Sequence, residues 1–305
     1  INDPIGSLTA EENNYAEGNA LMSSLAYSKR GFGIVTEMHR IDHMEFRSER
    51  AQEKQYIINY IPTLTKQHTY TLLALYPCAT QPEGEFGTQV DVFYKIKKGS
   101  FLGGKYGTKI IFNFSRINAL NGGNSFLNDN SEHTPMFISI KGEELYFRDL
   151  NLEIYKKINK KVKVTGVLAQ QVYNKDVLEG KTTYGTVNSS IAIADISYKI
   201  KKGHTLRVEL QELLSDGGDG SWSMGLMEYT ISPHWFFAIQ DMYNWGNHDV
   251  EKQLHYVNIN CGFLSGSNRF AIGYGKKRAG IFCVGGVCKE VPSSNGFSLT
   301  ISSSF

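Results

Sequence analysis

Apolar and polar residues alternate along most of the chain, in segments of about ten residues with a period of two. Between residues 205 and 211, leucine and valine hold the even positions and polar residues the odd ones. Because successive side chains of a strand point to opposite faces, each segment predicts a strand with one apolar and one polar face. About fifteen strands are predicted, near residues 20–28, 32–40, 55–64, 69–77, 88–97, 106–117, 144–157, 162–174, 186–200, 205–214, 221–231, 235–245, 253–263, 269–278 and 296–305.

The connections between these strands alternate between short and long. Residues 201–203 form a short turn, whereas 118–143 form a long loop. Outer-membrane barrels have short periplasmic turns and long extracellular loops, and about 9–11 tilted residues cross a bilayer. Closure of the sheet also satisfies every backbone polar group in lipid. The pattern therefore predicts an all-β fold, a transmembrane antiparallel up-and-down β-barrel over residues 20–305, with about 14–18 strands when complete.

Residues 1–19 are predicted to be a loop or the remnant of a missing upstream strand. Fifteen is an odd number, whereas bacterial single-chain barrels have even numbers of strands, so at least one further strand is expected upstream. The alternative is that one strand is counted in excess, and 221–231 is the least clear of them. The first ten residues lack a basic start followed by an apolar core, so the sequence is interpreted as a mature or truncated product.

Composition narrows the class of protein. Hydrophobic residues make up 41% of the chain, but no run approaches the length of a membrane-spanning helix. The 17 Tyr, 17 Phe and 3 Trp residues exclude intrinsic disorder. A net charge of +2 gives no electrostatic argument for nucleic acid as a partner. The expected location is the bacterial outer membrane, with outer-membrane lipid as a partner.

Lysine-rich turns recur at the short-turn end of the predicted strands. The sequence Tyr94–Gly99 (YKIKKG) is repeated at Tyr198–Gly203. An aromatic residue followed by lysines is typical of a membrane interface, although Lys/Gly turns also occur in other settings. The last strand ends on an aromatic residue, Phe305, which resembles the signal that bacterial barrel-assembly machinery recognises.

The sequence over residues 272–305 carries a resemblance to a known family. Its most specific parts are Arg278-Ala279-Gly280, the segment Cys283–Cys288, and Val291-Pro292 before the last strand. This stretch resembles the carboxy-terminal end of an uncharacterised family of Bacteroidota outer-membrane proteins, known only as a domain of unknown function. The resemblance implies an outer-membrane barrel and, because family members are longer, a missing amino-terminal part. It brings no catalytic residues.

Two of the four cysteines suggest a disulfide. Cys283 and Cys288 flank Val-Gly-Gly-Val in the last long loop, and Gly285-Gly286 suits a tight hairpin turn. The turn brings the two sulfurs together on an oxidising surface, so a Cys283–Cys288 disulfide is predicted. Cys261 is predicted to face lipid, and Cys78 to be a free thiol at a strand end. No cofactor is predicted. The histidines are scattered along the sequence, so no metal site is predicted either.

The polar strand faces are predicted to line the barrel lumen. Five of the nine charged residues assigned to the lumen are basic and four are acidic, so no strong ion selectivity is expected. This balance fits a wet, weakly selective lumen or cross-strand ion pairs that fill it. The nine residues are Asp91, Lys95, Lys109, Asp149, Glu153, Lys163, Arg207, Glu209 and Arg269.

The sequence contains none of the common local enzyme motifs, so a non-enzymatic protein is expected. The long loop 118–143 carries a small apolar patch and is expected either to plug the lumen or to form a partner surface. Two functions remain open. The first is a subunit of a multi-protein outer-membrane machine for secretion, assembly or uptake, with other outer-membrane or surface proteins as partners. The alternative is a stand-alone, porin-like passive diffusion channel.

Overall fold

A computed structural model describes residues 2–4, 15–44, 46, 48, 58, 60–120, 144–180, 184–284 and 287–304. Strands dominate these residues, beside one short helix, α1 (Lys175–Glu179), and a 3-10 turn at Val250–Lys252. In chain order the strands are β1 (Asn2–Pro4), β2 (Tyr15–Glu17), β3 (Asn19–Lys29), β4 (Phe32–Asp42), β5 (Gly84–Ile96), β6 (Thr108–Asn118), β7 (Leu145–Lys157), β8 (Val162–Asn174), β9 (Thr186–Lys201), β10 (His204–Ser215), β11 (Trp222–Ile231), β12 (Trp235–Tyr243), β13 (Asn258–Ser265), β14 (Asn268–Lys277), β15 (Gly280–Val284), β16 (Val287–Val291) and β17 (Ser294–Ser302).

One antiparallel sheet of thirteen strands organises the chain. Each strand from β3 to β13 pairs with the next strand in the sequence, and β17 completes the sheet by pairing with β14. Strands β1 and β2 pair with each other, and β15 and β16 form a separate hairpin. Strands β3 and β17 are the edges, so the sheet is open within the described residues. The all-β, up-and-down antiparallel prediction is confirmed, whereas closure into a barrel stays a prediction.

The alternation of residues determines which face of the sheet is covered. Along β9, Val187, Ile191 and Ile193 are buried, whereas Ala192 and Ile196 between and after them are exposed. The buried face carries residues 60–83, which leave the sheet after β4 and return to it at β5. This face is called the inner face below, and the opposite face the outer face.

The predicted strands at 55–64 and 69–77 are wrong for the residues that the structure describes. Residues 60–83 contain no strand, and residues 70–76 are turns and bends. The physical reason is that Leu72–Tyr76 is a continuous apolar run, which marks full burial but does not separate a strand from any other buried segment. The weakest prediction, 221–231, is a regular strand, β11.

Connection lengths divide the sheet into two ends. The short-turn end carries residues 30–31, 97–107, 158–161, 202–203, 232–234 and 266–267, and the long-loop end carries the other connections. The predicted asymmetry is present in most connections, with exceptions at 97–107 on the short-turn end and 216–221 on the long-loop end. No helix among the described residues is long and apolar enough to cross a membrane.

Candidate functional site

The candidate functional site is the inner face together with residues 60–83, which we call the inner segment. The segment leaves and returns at the long-loop end, where the Met44 amide donates to the Pro82 carbonyl at 2.8 Å. The hydroxyl of Thr80 donates to the Ile61 carbonyl at 2.9 Å, which closes the segment on itself. The inner segment is therefore a loop whose two ends lie at the same end of the sheet.

The apolar side of the inner segment packs against the middle and later strands. Leu72 and Leu73 are almost completely buried, and the ring centroid of Tyr76 lies 5.3 Å from that of Tyr173 on β8. The wall of this core consists of apolar side chains from seven strands. They include Ile117, Phe147, Val167, Ala169, Val187, Ile191, Ile193, Leu213, Met224, Leu226, Ala238 and Met242.

Two glutamines of the wall bond to the backbone of the inner segment. The Leu72 amide donates to Oε1 of Gln211 on β10 at 2.8 Å, and Nε2 of Gln171 on β8 donates to the Leu73 carbonyl at 3.0 Å. Both glutamines are at least 97% buried. Because the segment forms no ladder here, these side chains satisfy backbone groups that would otherwise be buried without partners.

The polar side of the inner segment contacts the carboxylates of the wall. Nζ of Lys66 lies 3.5 Å from Glu153, and Nε2 of His68 contacts Asp149. The Tyr70 hydroxyl donates to Asp195 at 3.3 Å. Burial, together with the charge of Asp195, raises the pKa of Tyr70, so the hydroxyl stays protonated and remains a donor. Two strands, β7 and β9, thus hold the segment through charged groups.

A buried histidine and glutamate lie near the return of the inner segment to the sheet. Nε2 of His39 on β4 is 2.7 Å from Oε1 of Glu85 on β5, and both side chains are fully buried. The other oxygen of Glu85 accepts the Gln81 amide at 2.6 Å. Gly87 lies opposite His39 in the register, and a Cβ there would be 2.6 Å from Nε2 of His39. The absence of a side chain at Gly87 is what makes room for the imidazole.

All nine charged residues assigned to the lumen from the sequence lie on the inner face. Two of them, Asp149 and Glu153, contact the inner segment. Asp91 accepts from Asn113 at 2.9 Å, and Nε of Arg207 donates to Asp195 at 3.1 Å beside its contact with Glu209. Registers place the remaining residues, Lys95, Lys109, Lys163 and Arg269, on the same face nearer the short-turn end.

The two signs of charge are largely separated along the strands, with Arg207 as the exception, since it lies among the acidic groups. The acidic groups Asp91, Asp149, Glu153 and Glu209 lie near the middle of the sheet, where the inner segment reaches. The lysines lie closer to the short-turn end, where Lys95 pairs directly with Lys109 and Lys157 with Lys163. The five basic and four acidic residues thus form a mainly acidic middle layer, which includes Arg207, and a basic layer nearer the short-turn end. Sequence spacing places the lysines beside the short turns, but only the register shows which of them are directly opposed.

The cysteines have different environments. Cys283 pairs with Cys288 in the backbone register of the β15–β16 hairpin, and their side chains lie outside the described residues. The disulfide therefore stays a prediction. Cys261 lies on the outer face of β13 with Ile259 and Phe263 and is a free thiol. Cys78 is also free, but it lies in the inner segment and not at a strand end as predicted, because 69–77 is not a strand.

Sequence reasoning missed the inner segment, and with it Lys66, His68, Tyr70 and Asp195. The apolar run 72–76 after a polar stretch was available as a signal, but strands and buried irregular segments share it. The predicted plug at 118–143 falls almost entirely outside the described residues. Within the described part of the chain, no three His, Cys, Asp or Glu side chains come close enough together to hold a metal ion.

The fold and site define an all-β protein in which a long antiparallel meander carries an inner segment on one face and an exposed apolar surface on the other. The sequence profile of a family of unknown function (DUF6029) matches residues 2–305, so the chain belongs to this family. No curated protein matches the chain.

Proposed function

We propose that the chain is an integral β-barrel protein of the bacterial outer membrane that acts, without enzymatic activity, as a subunit of a multi-protein outer-membrane machine. The machine serves secretion, assembly or uptake. The source is proposed to be a Bacteroidota-like cell, on the resemblance of residues 272–305. The outer-membrane location rests mainly on one observation, the outer face of the sheet.

The outer face is apolar across all thirteen strands. Leu25 on β3, Leu210 on β10, Ile272 on β14 and Leu299 on β17 are between 54% and 72% exposed. An apolar surface that extends over every strand is far larger than the few hundred Å² that soluble monomers expose. Exposure of so much apolar surface to water is unfavourable, and a hydrocarbon environment removes this free-energy cost. Lipid is therefore the surrounding that best explains the apolar outer face.

Lipid also requires that the sheet be closed. The free edges of β3 and β17 would leave backbone N–H and C=O groups unpaired in hydrocarbon, at several kcal/mol each. The proposal therefore includes closure of the sheet, through direct pairing of the edges or through further strands between them. With the usual orientation of such barrels, the short-turn end faces the periplasm.

The occupied inner face supports the subunit role over an open channel. The inner segment contacts β7, β8, β9 and β10 through polar groups and reaches the middle of these strands. A small cavity of about 20 Å³ separates it from β12 and β14. A segment held in this way blocks the interior of the proposed barrel. The strands then act as a structural scaffold and not as the wall of an open channel.

A passive channel is the second candidate, and the observation that favours it is the polar anchoring of the segment. The Lys66–Glu153 contact is partly exposed and breaks at low cost, so the polar part of the segment, outside its apolar core, is the part that could move. Planar-bilayer conductance separates the two functions. The subunit proposal expects a low conductance that rises when a short Gly/Ser linker replaces residues 61–80, and also when Lys66→Ala weakens the anchoring. A wild-type protein with a large steady conductance favours the channel.

Depth-dependent quenching tests the membrane proposal at two neighbouring positions of β9. Ala192 is exposed on the outer face and Ile193 is buried on the inner face. An environment-sensitive fluorophore is attached to Ala192→Cys or Ile193→Cys in a background with all four native cysteines replaced by serine. In vesicles with brominated acyl chains, strong quenching at 192 and weak quenching at 193 is expected. Equal quenching, or none at 192, rejects the membrane assignment.

A further inference from the structure

The short-turn end holds a concentration of positive charge. The residues around the six short turns carry 16 of the chain's 32 Lys and Arg residues and none of its 30 Asp and Glu residues. The rest of the chain therefore has 16 basic residues against 30 acidic ones. The turn regions counted are 24–36, 92–112, 154–166, 196–206, 229–239 and 261–273. A nearly neutral chain is thus strongly polarised between its two ends.

The charge is confined to one arc of the sheet. Fifteen of the 16 basic residues belong to the turns and strand ends of β3–β10, and only Arg269 lies at the turns of β11–β14. None of the fifteen has a carboxylate within 4.0 Å in the described part of the chain. Lipid surrounds a barrel on every side, so a headgroup-binding function would distribute lysines evenly. An arc indicates a partner that docks on one side.

Five of these lysines indicate a ligand-binding site on the inner face, next to the short-turn end. Lys95 and Lys109 lie directly opposite each other on β5 and β6, as do Lys157 and Lys163 on β7 and β8, and Lys199 follows on β9. Like charges in directly opposed positions destabilise a sheet. All five are on the face opposite the apolar surface, where lipid headgroups of the surrounding leaflet do not reach. The repulsion is relieved when an anion binds between them.

The dimensions of this strip favour an extended ligand. Five neighbouring strands span about 19 Å at the usual spacing of about 4.8 Å. One phosphate or carboxylate contacts only one or two lysines over this distance, whereas an extended acidic peptide contacts them in succession. Aromatic rings accompany the strip, with Nζ of Lys109 5.5 Å from the Tyr155 ring centroid and Nζ of Lys157 4.8 Å from that of Tyr106. These rings hold the ammonium groups in place without neutralising them.

We propose that the short-turn end is the docking surface for a partner protein with an acidic segment, which binds along Lys95, Lys109, Lys157, Lys163 and Lys199. The inference rests on the proposed subunit role and specifies the chemistry of the partner. In the proposed orientation the partner is periplasmic. Electrostatic attraction over the whole arc steers the encounter, and the five inner lysines fix the register of the bound segment.

The test is fluorescence anisotropy with a labelled polyglutamate peptide and the folded protein in nonionic detergent at low salt. Tighter binding of polyglutamate than of polyglutamine is expected, with a loss of affinity as salt rises. The quadruple variant Lys95→Gln, Lys109→Gln, Lys157→Gln, Lys163→Gln is expected to bind at least about tenfold more weakly. The control variant Lys252→Gln with Lys276→Gln, at the long-loop end, is expected to retain binding.

Three outcomes overturn the proposal. They are equal affinity for the two peptides, an equal loss in the control variant, and a quadruple variant that keeps peptide binding but loses co-purifying phosphatidylglycerol. The last outcome would assign the arc to anionic lipid. Each of the two double variants, Lys95→Gln with Lys109→Gln and Lys157→Gln with Lys163→Gln, gives an independent test if the quadruple variant does not fold. Peptide binding by a protein that fails the quenching test would reject the membrane role and retain the basic site.

Discussion

The backbone N–H of Leu72 donates a 2.8 Å hydrogen bond to Oε1 of Gln211, 139 residues further along the chain. Leu72 has no exposed surface, and Gln211 is 3% exposed on the inner face of β10. A wall glutamine therefore holds the backbone of a segment that sequence periodicity alone predicts as another strand of the wall. This hydrogen bond and the burial of Leu72 make the inner segment part of the core. The effect of mutations in the segment on stability can therefore be measured.

Truncation of Leu72 should destabilise the whole fold. Leu72→Ala leaves a cavity in the core between the inner segment and the wall, so the free energy of unfolding is expected to fall by about 2–5 kcal/mol. Leu210→Ala is the matched control, because Leu210 is 59% exposed on the outer face one residue from Gln211. Urea unfolding in nonionic detergent measures both. Equal effects of the two truncations would contradict the core position of the segment.

A methyl group at Gly87 should disturb the buried histidine. In Gly87→Ala the new Cβ would lie 2.6 Å from Nε2 of His39, whose ring is fully buried and contacts Glu85. A loss of stability of about 1–3 kcal/mol is expected from overpacking. A Cβ added at Gly166 on β8 would meet no atom within 4 Å, so Gly166→Ala is expected to be neutral or stabilising. The same unfolding measurement compares the two variants, and the reverse order would contradict the packing.

The thiol of Cys78 should react slowly in the folded protein. Burial, and to a smaller extent the charge of Glu85, raises the pKa of Cys78 well above its usual range. Because the thiolate is the reacting form, maleimide labelling at pH 8 should be slower than for a free cysteine. The rate should keep rising with pH beyond the point where an ordinary thiol, with a pKa of about 8.5, levels off.

This labelling is measured with Cys78 as the only cysteine, the others being replaced by serine. Labelling after denaturation provides the control for accessibility, since it removes the burial. A folded protein that reacts as fast as the denatured one would show that the inner segment does not protect the thiol.

Cys283 and Cys288 should form a disulfide in protein taken from an oxidising compartment. The β15–β16 register places the two residues opposite each other, and Cα atoms of such pairs lie about 4.5–5.5 Å apart, within the range of a disulfide. Peptide mass spectrometry without reduction should find residues 283 and 288 linked. Cys283→Ser should leave Cys288 free for alkylation, while Cys261→Ser should not change the linkage. Free thiols at both positions in wild-type protein would contradict the prediction.

Periodicity was sufficient to predict most of the wall. Strands such as β7 and β10 follow from the alternation of apolar and polar residues, as in Leu206, Val208 and Leu210 of β10, because one face is packed and the other is not. The same logic placed Asp149 and Glu209 on one face. It could not predict the inner segment, because the buried apolar run Leu72–Tyr76 shows no alternation.

The layering of charge needed the register in addition to periodicity. Lys95 and Lys109 lie 14 positions apart in the sequence, and only the β5–β6 pairing shows that they are opposed. Likewise, Tyr70 and Asp195 meet because an irregular segment lies across the inner face, and no local pattern encodes such a contact. The spacing of residue types along the sequence does not show which distant residues are in contact.

The role as a subunit of an outer-membrane machine is tested by the mass and composition of the particle that mild detergent extracts from the membranes of cells that produce the protein naturally. A tag in an outer loop allows its isolation. We expect recovery from the outer-membrane fraction in a particle with a stoichiometric partner, which dissociates when Lys95, Lys109, Lys157 and Lys163 are replaced by glutamine. Recovery from the soluble fraction, or as a lone barrel with a large steady conductance, would contradict it.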